Sequence, residues 1–208
     1  MKAVIFDFDG TIADSLAAII KVLEDVMKRP RRFTPEEVKE LQHKDPLEIA
    51  RELGIPKWKI PWLLTRGRHM FRKHMRSITV HEGMVDVIKT LHKQGIPLFV
   101  LSSNSKANVQ KYLRWHELDT FFANVYGGAS LHGKSRKLRT LCRREGVDPT
   151  ESWYIGDEIR DIIGGHTAGL RVIAVSWGYN TRIVLADKKP NALVDTPAEI
   201  LPILNEQS

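Results

Sequence analysis

Short, continuous apolar runs recur along this chain and alternate with segments of helical periodicity. Runs without polar positions are typical of strands that are buried on both faces, as in a parallel sheet. Because helical segments separate the runs, the pattern predicts an α/β protein with a doubly wound parallel sheet. The predicted strands are Ala3–Phe6, Ile96–Leu101, Ala123–Tyr126, Trp153–Ile155, Val172–Val175 and, at one edge, Ala192–Val194.

The alternation is interrupted between residues 14 and 81, where four helices and no strand are expected. Apolar residues at helical spacing predict a first helix from Leu16, which Pro30 ends. Thr34–Glu37 and Asp45–Glu48 each combine a capping residue, a proline at the first helical position and an acid three residues after the cap. A fourth helix is predicted to begin at Pro61. We therefore expect a discontinuous core, residues 1–13 and 82–208, that carries an inserted all-helical cap domain, residues 14–81.

The composition and the hydropathy pattern favour a protein that is neither embedded in a membrane nor secreted. Hydrophobic residues make up 42% of the chain and charged residues 27%, which is ordinary for a soluble globular protein. No apolar run approaches the roughly 20 residues of a membrane span. Residues 1–12 have the pattern of a strand rather than of a signal peptide. We therefore expect a cytoplasmic protein with no membrane partner.

The net charge of +7 is concentrated in the predicted cap. Residues 14–81 contain 15 Lys and Arg against 9 Asp and Glu, whereas the rest of the chain is close to neutral. A basic segment is suited to an anionic substrate or partner. A solvated basic surface explains the same charge equally well.

Polar groups that are suited to phosphate follow four of the predicted strands. Asp7 and Asp9 come two positions apart at the end of the first strand and therefore project to the same side. Since the carboxyl ends of parallel strands share one edge of a sheet, groups that are distant in sequence can converge there. The other groups are Ser102, Ser103 and Asn104, then Gly133 and Lys134, and finally Gly156, Asp157 and Glu158 with Asp161.

These motifs, in this order, resemble those of the haloacid dehalogenase (HAD) superfamily. The matching residues are Asp7–Thr11, Ser102 after an apolar strand, Lys134 and Gly156–Asp161. The resemblance covers the whole predicted core, and the insertion after the first motif is similar to the family's helical C1 cap. The chain is most similar to the phosphoglycolate phosphatase-like branch, through residues 133–138, 156–161 and 176–180. This resemblance implies a Mg²⁺-dependent phosphatase that acts on a small phosphorylated metabolite.

The resemblance also implies how the reacting groups work. Asp7 would be the nucleophile and would form an aspartyl-phosphate intermediate. Asp9 would protonate the leaving alcohol and afterwards take a proton from the attacking water. Lys134 would stabilise the nucleophile and the charge of the transition state.

The implied cofactor is Mg²⁺, which prefers hard oxygen ligands. Its expected ligands are the carboxylates of Asp7 and Asp157 and the backbone carbonyl of Asp9. Asp161 would accept a hydrogen bond from a metal-bound water or hold the catalytic lysine. Glu158 is expected to lie outside the ligands and to support them.

Substrate contacts are expected from one core loop and one cap loop. The Ser102 hydroxyl, the Ser103 backbone N–H and the Asn104 amide would bind the phosphoryl oxygens. Lys44, in the short loop between two predicted cap helices, is expected to contact the leaving group. A mobile cap would close over Asp7, exclude water and select the substrate.

Two alternatives remain open on sequence grounds. One is a phosphomutase of the same superfamily. The other is a non-catalytic protein whose basic cap binds nucleic acid or another anion, although a complete set of acids with Lys134 makes nucleic acid the less favoured partner. Trp58 and Trp62 in the cap could stack on bases, but the pattern favours their anchoring the cap helices to each other.

Overall fold

A parallel β-sheet forms the centre of the computed structural model, which describes residues 1–27, 32–44, 46–52, 54–128 and 133–205. Its strands are paired in the order β3-β2-β1-β4-β5-β6, and Ile5 in the central strand lies opposite Phe99 and Tyr154. The doubly wound α/β fold predicted from the sequence is therefore confirmed. The strands are β1 (Val4–Phe6), β2 (Leu98–Leu101), β3 (Asn124–Tyr126), β4 (Trp153–Gly156), β5 (Arg171–Val175) and β6 (Ala192–Val194).

Helices cover both faces of the sheet because consecutive strand residues point to opposite sides. Val4 and Phe6 join one apolar cluster, whereas Ile5 joins the other. The first face packs against α5 (Met84–Lys93), α6 (Lys106–Trp115) and α10 (Ile200–Asn205), and the second against α7 (Lys134–Glu145), α8 (Ile159–Ala168) and α9 (Arg182–Ala186).

Helical periodicity in the sequence predicts two core helices, from about Lys106 to Trp115 and from Lys134 to Glu145, and the structure reproduces these bounds in α6 and α7. Strand β2 begins two residues later than expected, at Leu98. Pro97 precedes it and has no N–H group to donate to a strand ladder, although its carbonyl accepts a hydrogen bond from Val4. None of the described helices is long and apolar enough to cross a membrane.

The inserted segment is helical, as predicted. Thr34 caps the second helix in a capping box with Glu37, as its sequence indicates. The other proposed cap, Asp45, and the proposed stop, Pro30, lie outside the described residues. The cap helices are α1 (Leu16–Met27), α2 (Pro35–Gln42), α3 (Pro46–Glu52) and α4 (Ile60–His74), the last preceded by a short 3₁₀ helix, Lys57–Lys59.

The chain passes between core and cap through two segments that pair with each other. Ala13 and Val80 form an antiparallel bridge. Asp14 N–H donates to the Thr79 carbonyl, and His81 N–H donates to the Ile12 carbonyl, each at 2.9 Å. Both ends of the cap are thus held at one point, next to the end of β1.

The cap tryptophans do not anchor the cap helices to one another, so this expectation was wrong. Trp58 is 75% exposed and Trp62 is 53% exposed. Each ring is contacted by a cation: Lys59 lies over Trp58, and Arg66 lies over Trp62. The cap is instead packed by smaller apolar residues, including Ile20, Leu41 and Ile49, together with Tyr179 of the core.

A substitution at Gly165 tests how closely α8 packs on the sheet. A Cβ atom at this position would lie 2.5 Å from Val172 Cγ2, so Gly165→Ala should lower the free energy of unfolding by about 1–3 kcal/mol. Gly67 in α4 is the matched control, because a Cβ there meets no heavy atom within 4 Å. Gly67→Ala should raise stability by up to about 1 kcal/mol through helix propensity. Urea denaturation measures both changes, and equal effects would contradict the assigned close packing.

Candidate active site

Three neighbouring strands deliver the candidate site residues to one edge of the sheet. The first strand, β1, lies between β2 and β4, and the order of the strands reverses at this point. Such a reversal opens a crevice beyond the strand carboxyl ends. Asp7 follows β1 directly, Ser102 follows β2 and Asp157 follows β4. The predicted convergence of these groups is therefore present.

Lys134 is buried between two carboxylates at the start of α7. Its ammonium donates to Asp7 Oδ2 at 2.7 Å and also to Asp161 Oδ1. All three side chains are at most 3% exposed. Burial alone would lower the pKa of Lys134, but the Asp161 and Asp7 carboxylates outweigh it and hold that pKa above its usual value. The lysine is therefore charged in the folded protein.

Burial determines the pKa of Asp7, in contrast to that of Lys134. It raises the pKa of this carboxyl from 3.8 to about 7, although the neighbouring Lys134 ammonium opposes the shift. A buried carboxylate with so high a pKa is one whose negative charge is only partly compensated by the protein. A further cation beside Asp7 would restore its full ionisation.

Asp161 is the residue that fixes the lysine. The Tyr154 hydroxyl donates to Asp161 Oδ1 at 2.9 Å, and the Glu158 backbone N–H donates to Oδ2 at 3.0 Å. Gly156 lies so close that a Cβ there would meet the Asp161 carboxyl. Of the two roles proposed for Asp161, the structure thus displays the contact with Lys134.

Asp157 is held by the loop after β1 and by a second loop after β5. Thr11 Oγ1 donates to its Oδ1 at 2.7 Å, and the Tyr179 backbone N–H donates to its Oδ2 at 2.7 Å. A Cβ on Gly10 or on Gly178 would overlap this carboxyl group. Burial, reinforced by the nearby carboxylates, raises the pKa of Asp157 well above its usual value.

Asp9 sits beside the loop that follows β2. Its Oδ2 accepts hydrogen bonds from Asn104 Nδ2 at 3.3 Å and from Ser102 Oγ at 3.5 Å. The Asn104 backbone N–H in turn donates to Ser102 Oγ at 2.8 Å. Burial raises the pKa of Asp9 to about 6, and the hydrogen bond from Asn104 opposes this shift. The side chain can therefore both hold and release a proton near neutral pH.

The carboxylates that lie close together in the structure are not the predicted set of metal ligands, Asp7, Asp9 and Asp157. Among the described residues, Asp7, Glu158 and Asp161 each offer an oxygen within 4.8 Å of the others, and all three are buried. Asp157 lies outside this group because its carboxyl group is turned toward Thr11 and Tyr179. Glu158, which was expected to lie outside the metal ligands, is thus close enough to Asp7 to share a metal ion with it.

Glu158 is paired with Arg160, a residue of the same motif. Arg160 Nε donates to Glu158 Oε2 at 2.7 Å, and Nη2 donates to Oε1 at 2.5 Å. Such a two-point contact fixes the direction of both side chains. The third guanidinium nitrogen, Nη1, is buried and has no hydrogen-bond partner in the described part of the chain.

A cavity of about 220 Å³ lies between the cap and the core and opens on Asp9. The core lines it with Asp9, Ser103, Asn104, Glu158, Arg160 and Tyr179. The cap lines it mainly with aliphatic side chains of α1, α3 and α4, such as Ile19, Ile49 and Ile60. The cavity is therefore polar at its core side and apolar at its cap side.

Arg68 joins the cap to the loop of Ser102, Ser103 and Asn104. The helical spacing of the sequence predicts instead that it stays largely outside, with the other basic residues of α4. Its Nη2 and Nε donate to the Ser103 carbonyl at 2.8 and 3.1 Å. Asn108 Nδ2 donates to the Arg68 carbonyl at 2.9 Å. The sequence did contain a signal, since Arg68 is three residues before the buried Phe71 and thus on the inward face of the helix.

Lys44 does not reach the cavity, contrary to its expected contact with a leaving group. Its ammonium donates to Glu52 Oε2 at 2.6 Å, on the surface of the cap. The backbone of this segment is what meets the core, because Asn180 Nδ2 donates to the carbonyls of Gln42 and Lys44 at 2.7 and 3.3 Å. Sequence spacing located the loop but not the direction of its side chain.

Comparison with known proteins identifies the family of this chain. Residues 4–175 match the family model described as haloacid dehalogenase-like hydrolase. A phosphoglycolate phosphatase of Synechococcus elongatus is 31% identical, over 99% of this chain and 98% of its own length. Pyrophosphatase PpaX of Bacillus cereus is 26% identical, over 100% of this chain and 98% of its own length. A haloacid dehalogenase-like hydrolase of Streptococcus pneumoniae shares the fold, with a TM-score of 0.80, 20% identity and 98% coverage of both chains.

The raised carboxyl pKa values predict how stability depends on pH. Folded Asp7 and Asp9 bind protons up to about pH 7 and 6, whereas the unfolded groups release theirs near 3.8. In metal-free buffer, the free energy of unfolding should therefore fall as the pH rises from about 4 to about 7. One pKa unit corresponds to about 1.4 kcal/mol, so the fall should be on the order of a few kcal/mol.

The variant Asp7→Asn identifies the source of this fall. It removes the carboxyl group with the larger pKa shift. The free energy of unfolding, measured by urea denaturation at each pH, should therefore depend less steeply on pH. Asp187→Asn changes an exposed carboxylate at the end of α9 and should keep the wild-type slope. A slope that Asp7→Asn leaves unchanged would contradict the assignment.

Proposed function

Because the chain belongs to the haloacid dehalogenase-like hydrolases, we propose that it hydrolyses small phosphomonoesters with Mg²⁺, in the manner of a phosphoglycolate phosphatase. One observation carries this proposal. Two acids emerge from the same strand end, and one of them contacts a buried lysine while the other contacts the Ser102 hydroxyl and the Asn104 amide. A nucleophile and a proton donor are thus kept in separate environments at one site.

Asp7 is the nucleophile of the proposed reaction. Lys134 holds its Oδ2, which orients the carboxylate and favours the ionised form. A carboxylate oxygen attacks phosphorus as the bond to the ester oxygen breaks, which leaves a phosphoryl group on Asp7. Water then attacks this phosphorus, and inorganic phosphate leaves as the carboxylate is restored.

Asp9 moves the protons of both steps. Its pKa of about 6 lies close enough to neutrality for the protonated form to be available to a departing alkoxide. After the alcohol has gone, the ionised carboxyl takes a proton from the attacking water. Asn104 and Ser102 keep its Oδ2 in place through this exchange.

The acids beside Asp7 fit a hard divalent cation. They offer buried carboxylate oxygens, and burial raises the pKa of both Asp7 and Asp157, which a bound cation would reverse. Asp7, Asp157 and the Asp9 carbonyl would hold the ion, and Glu158 lies near enough to assist. When bound, Mg²⁺ supplies positive charge that neutralises the phosphoryl oxygens.

Release of inorganic phosphate tests the reaction. Wild-type protein with Mg²⁺ should release phosphate from a panel of small esters that includes phosphoglycolate, and Asp7→Asn should lower kcat at least about a thousandfold. Asp187→Asn should retain wild-type rates. An isomerised sugar phosphate without net release of phosphate would instead identify a phosphomutase. Salt-sensitive binding of nucleic acid with no turnover would support the binding protein.

Calorimetric titration with Mg²⁺ tests the ligand set. Asp157→Asn should abolish measurable binding, whereas Glu158→Gln should weaken it by about 10- to 100-fold, as expected for a supporting residue. Asp187→Asn should bind as the wild type does. Loss of binding in Glu158→Gln with binding retained in Asp157→Asn would move the site to the cluster of Asp7, Glu158 and Asp161.

A further inference from the structure

We propose that the preferred substrate is the phosphate monoester of an alcohol with an apolar carbon skeleton, and that the cap side of the cavity binds this skeleton. The inference rests on the proposed function and names the substrate class for it. It departs from phosphoglycolate, whose alcohol carries a carboxylate. The argument depends on how polarity is divided between the two sides of the cavity.

The phosphate end of the substrate is placed by the core. The cavity opens on Asp9 and is bounded there by Ser103 and Asn104. A phosphoryl group attacked by Asp7 and served by Asp9 has to occupy this end. The ester oxygen and the carbon atoms beyond it then extend away from the core and into the part that the cap lines.

Apart from Arg68, the cap side is lined by carbon atoms. Ile19, Leu23, Ile49, Ile55 and Ile60 line it, together with Phe71, which is 5% exposed. A carboxylate placed here would lose its hydration without gaining a partner. An alkyl chain would instead be removed from water against surfaces of its own kind.

The cations at the cavity already have partners. Arg68 is the basic residue among the described cap positions that line it, and its Nε and Nη2 donate to the Ser103 carbonyl. Arg160 makes a two-point contact with Glu158, and its remaining nitrogen, Nη1, belongs to the core side of the cavity, where the phosphoryl group is placed. Lys44, the cap cation that was expected to meet the leaving group, is paired with Glu52 instead.

Gly67 provides a way to fill the cavity without displacing the chain. It lines the cavity in the interior of α4, and a Cβ there meets no heavy atom within 4 Å. Leucine is a better helix former than glycine, so Gly67→Leu should fold. Ala17→Leu is the matched control, because Ala17 is exposed on α1 and does not line the cavity.

The test compares kcat/KM for ethyl, butyl and hexyl phosphate and for phosphoglycolate. Each buried methylene should raise kcat/KM roughly fourfold until the cavity is full. Butyl phosphate should therefore exceed both ethyl phosphate and phosphoglycolate by about tenfold or more. Gly67→Leu should lower the ratio of hexyl to ethyl phosphate at least about tenfold, and Ala17→Leu should preserve it. Equal rates along the series, or a preference for phosphoglycolate, would overturn the inference.

A binding measurement separates this inference from the proposed function. Ethyl-, butyl- and hexylphosphonate are titrated calorimetrically into the wild-type protein with Mg²⁺. Affinity that rises with chain length supports the apolar pocket, even if no ester is hydrolysed and the proposed function fails. Affinity that is independent of chain length overturns the pocket assignment, even if phosphate is released from every ester.

Discussion

Lys134 lies buried between the carboxylates of Asp7 and Asp161, and much of the site is arranged around this contact. A lysine without water needs anionic partners, and removal of one partner from a buried ionic group is strongly destabilising. The contact ties α7 to β1 and to the start of α8. Tyr154 and the Glu158 backbone N–H then hold Asp161 in place. The same interactions that orient Asp7, the proposed nucleophile, therefore also fasten the helices to the sheet edge.

The cap contributes a different kind of surface. Arg68 bonds to the Ser103 carbonyl on one side, and Asn180 bonds to the Gln42 and Lys44 carbonyls on the other. These contacts place aliphatic cap residues over the polar strand ends. Most of the described basic side chains of the segment are exposed, as are Trp58 and Trp62. In the proposed reaction, catalytic chemistry and the recognition of a leaving group would therefore be carried by separate parts of the chain.

Much of the fold could be predicted because it depends on local patterns. Apolar runs identified each strand, and the helices over Lys106–Trp115 and Lys134–Glu145 have the bounds that their periodicity indicated. The order of polar groups after the strands also located the site, since parallel strands end at one edge. Lys44 and Arg68 were misplaced for a common reason. A long flexible side chain takes its direction from the partner it finds, and that partner is distant in sequence.

The sequence by itself determined which groups meet at the strand ends, because strand order and residue type are written locally. It identified Asp7, Asp9, Lys134 and Asp157 as one set before any distance was known. Only the tertiary structure decided how the acids divide the work, with Asp161 on the lysine and Asp157 turned toward Thr11. It also decided the apolar character of the cavity, because this depends on which faces of three cap helices are brought over Asp9.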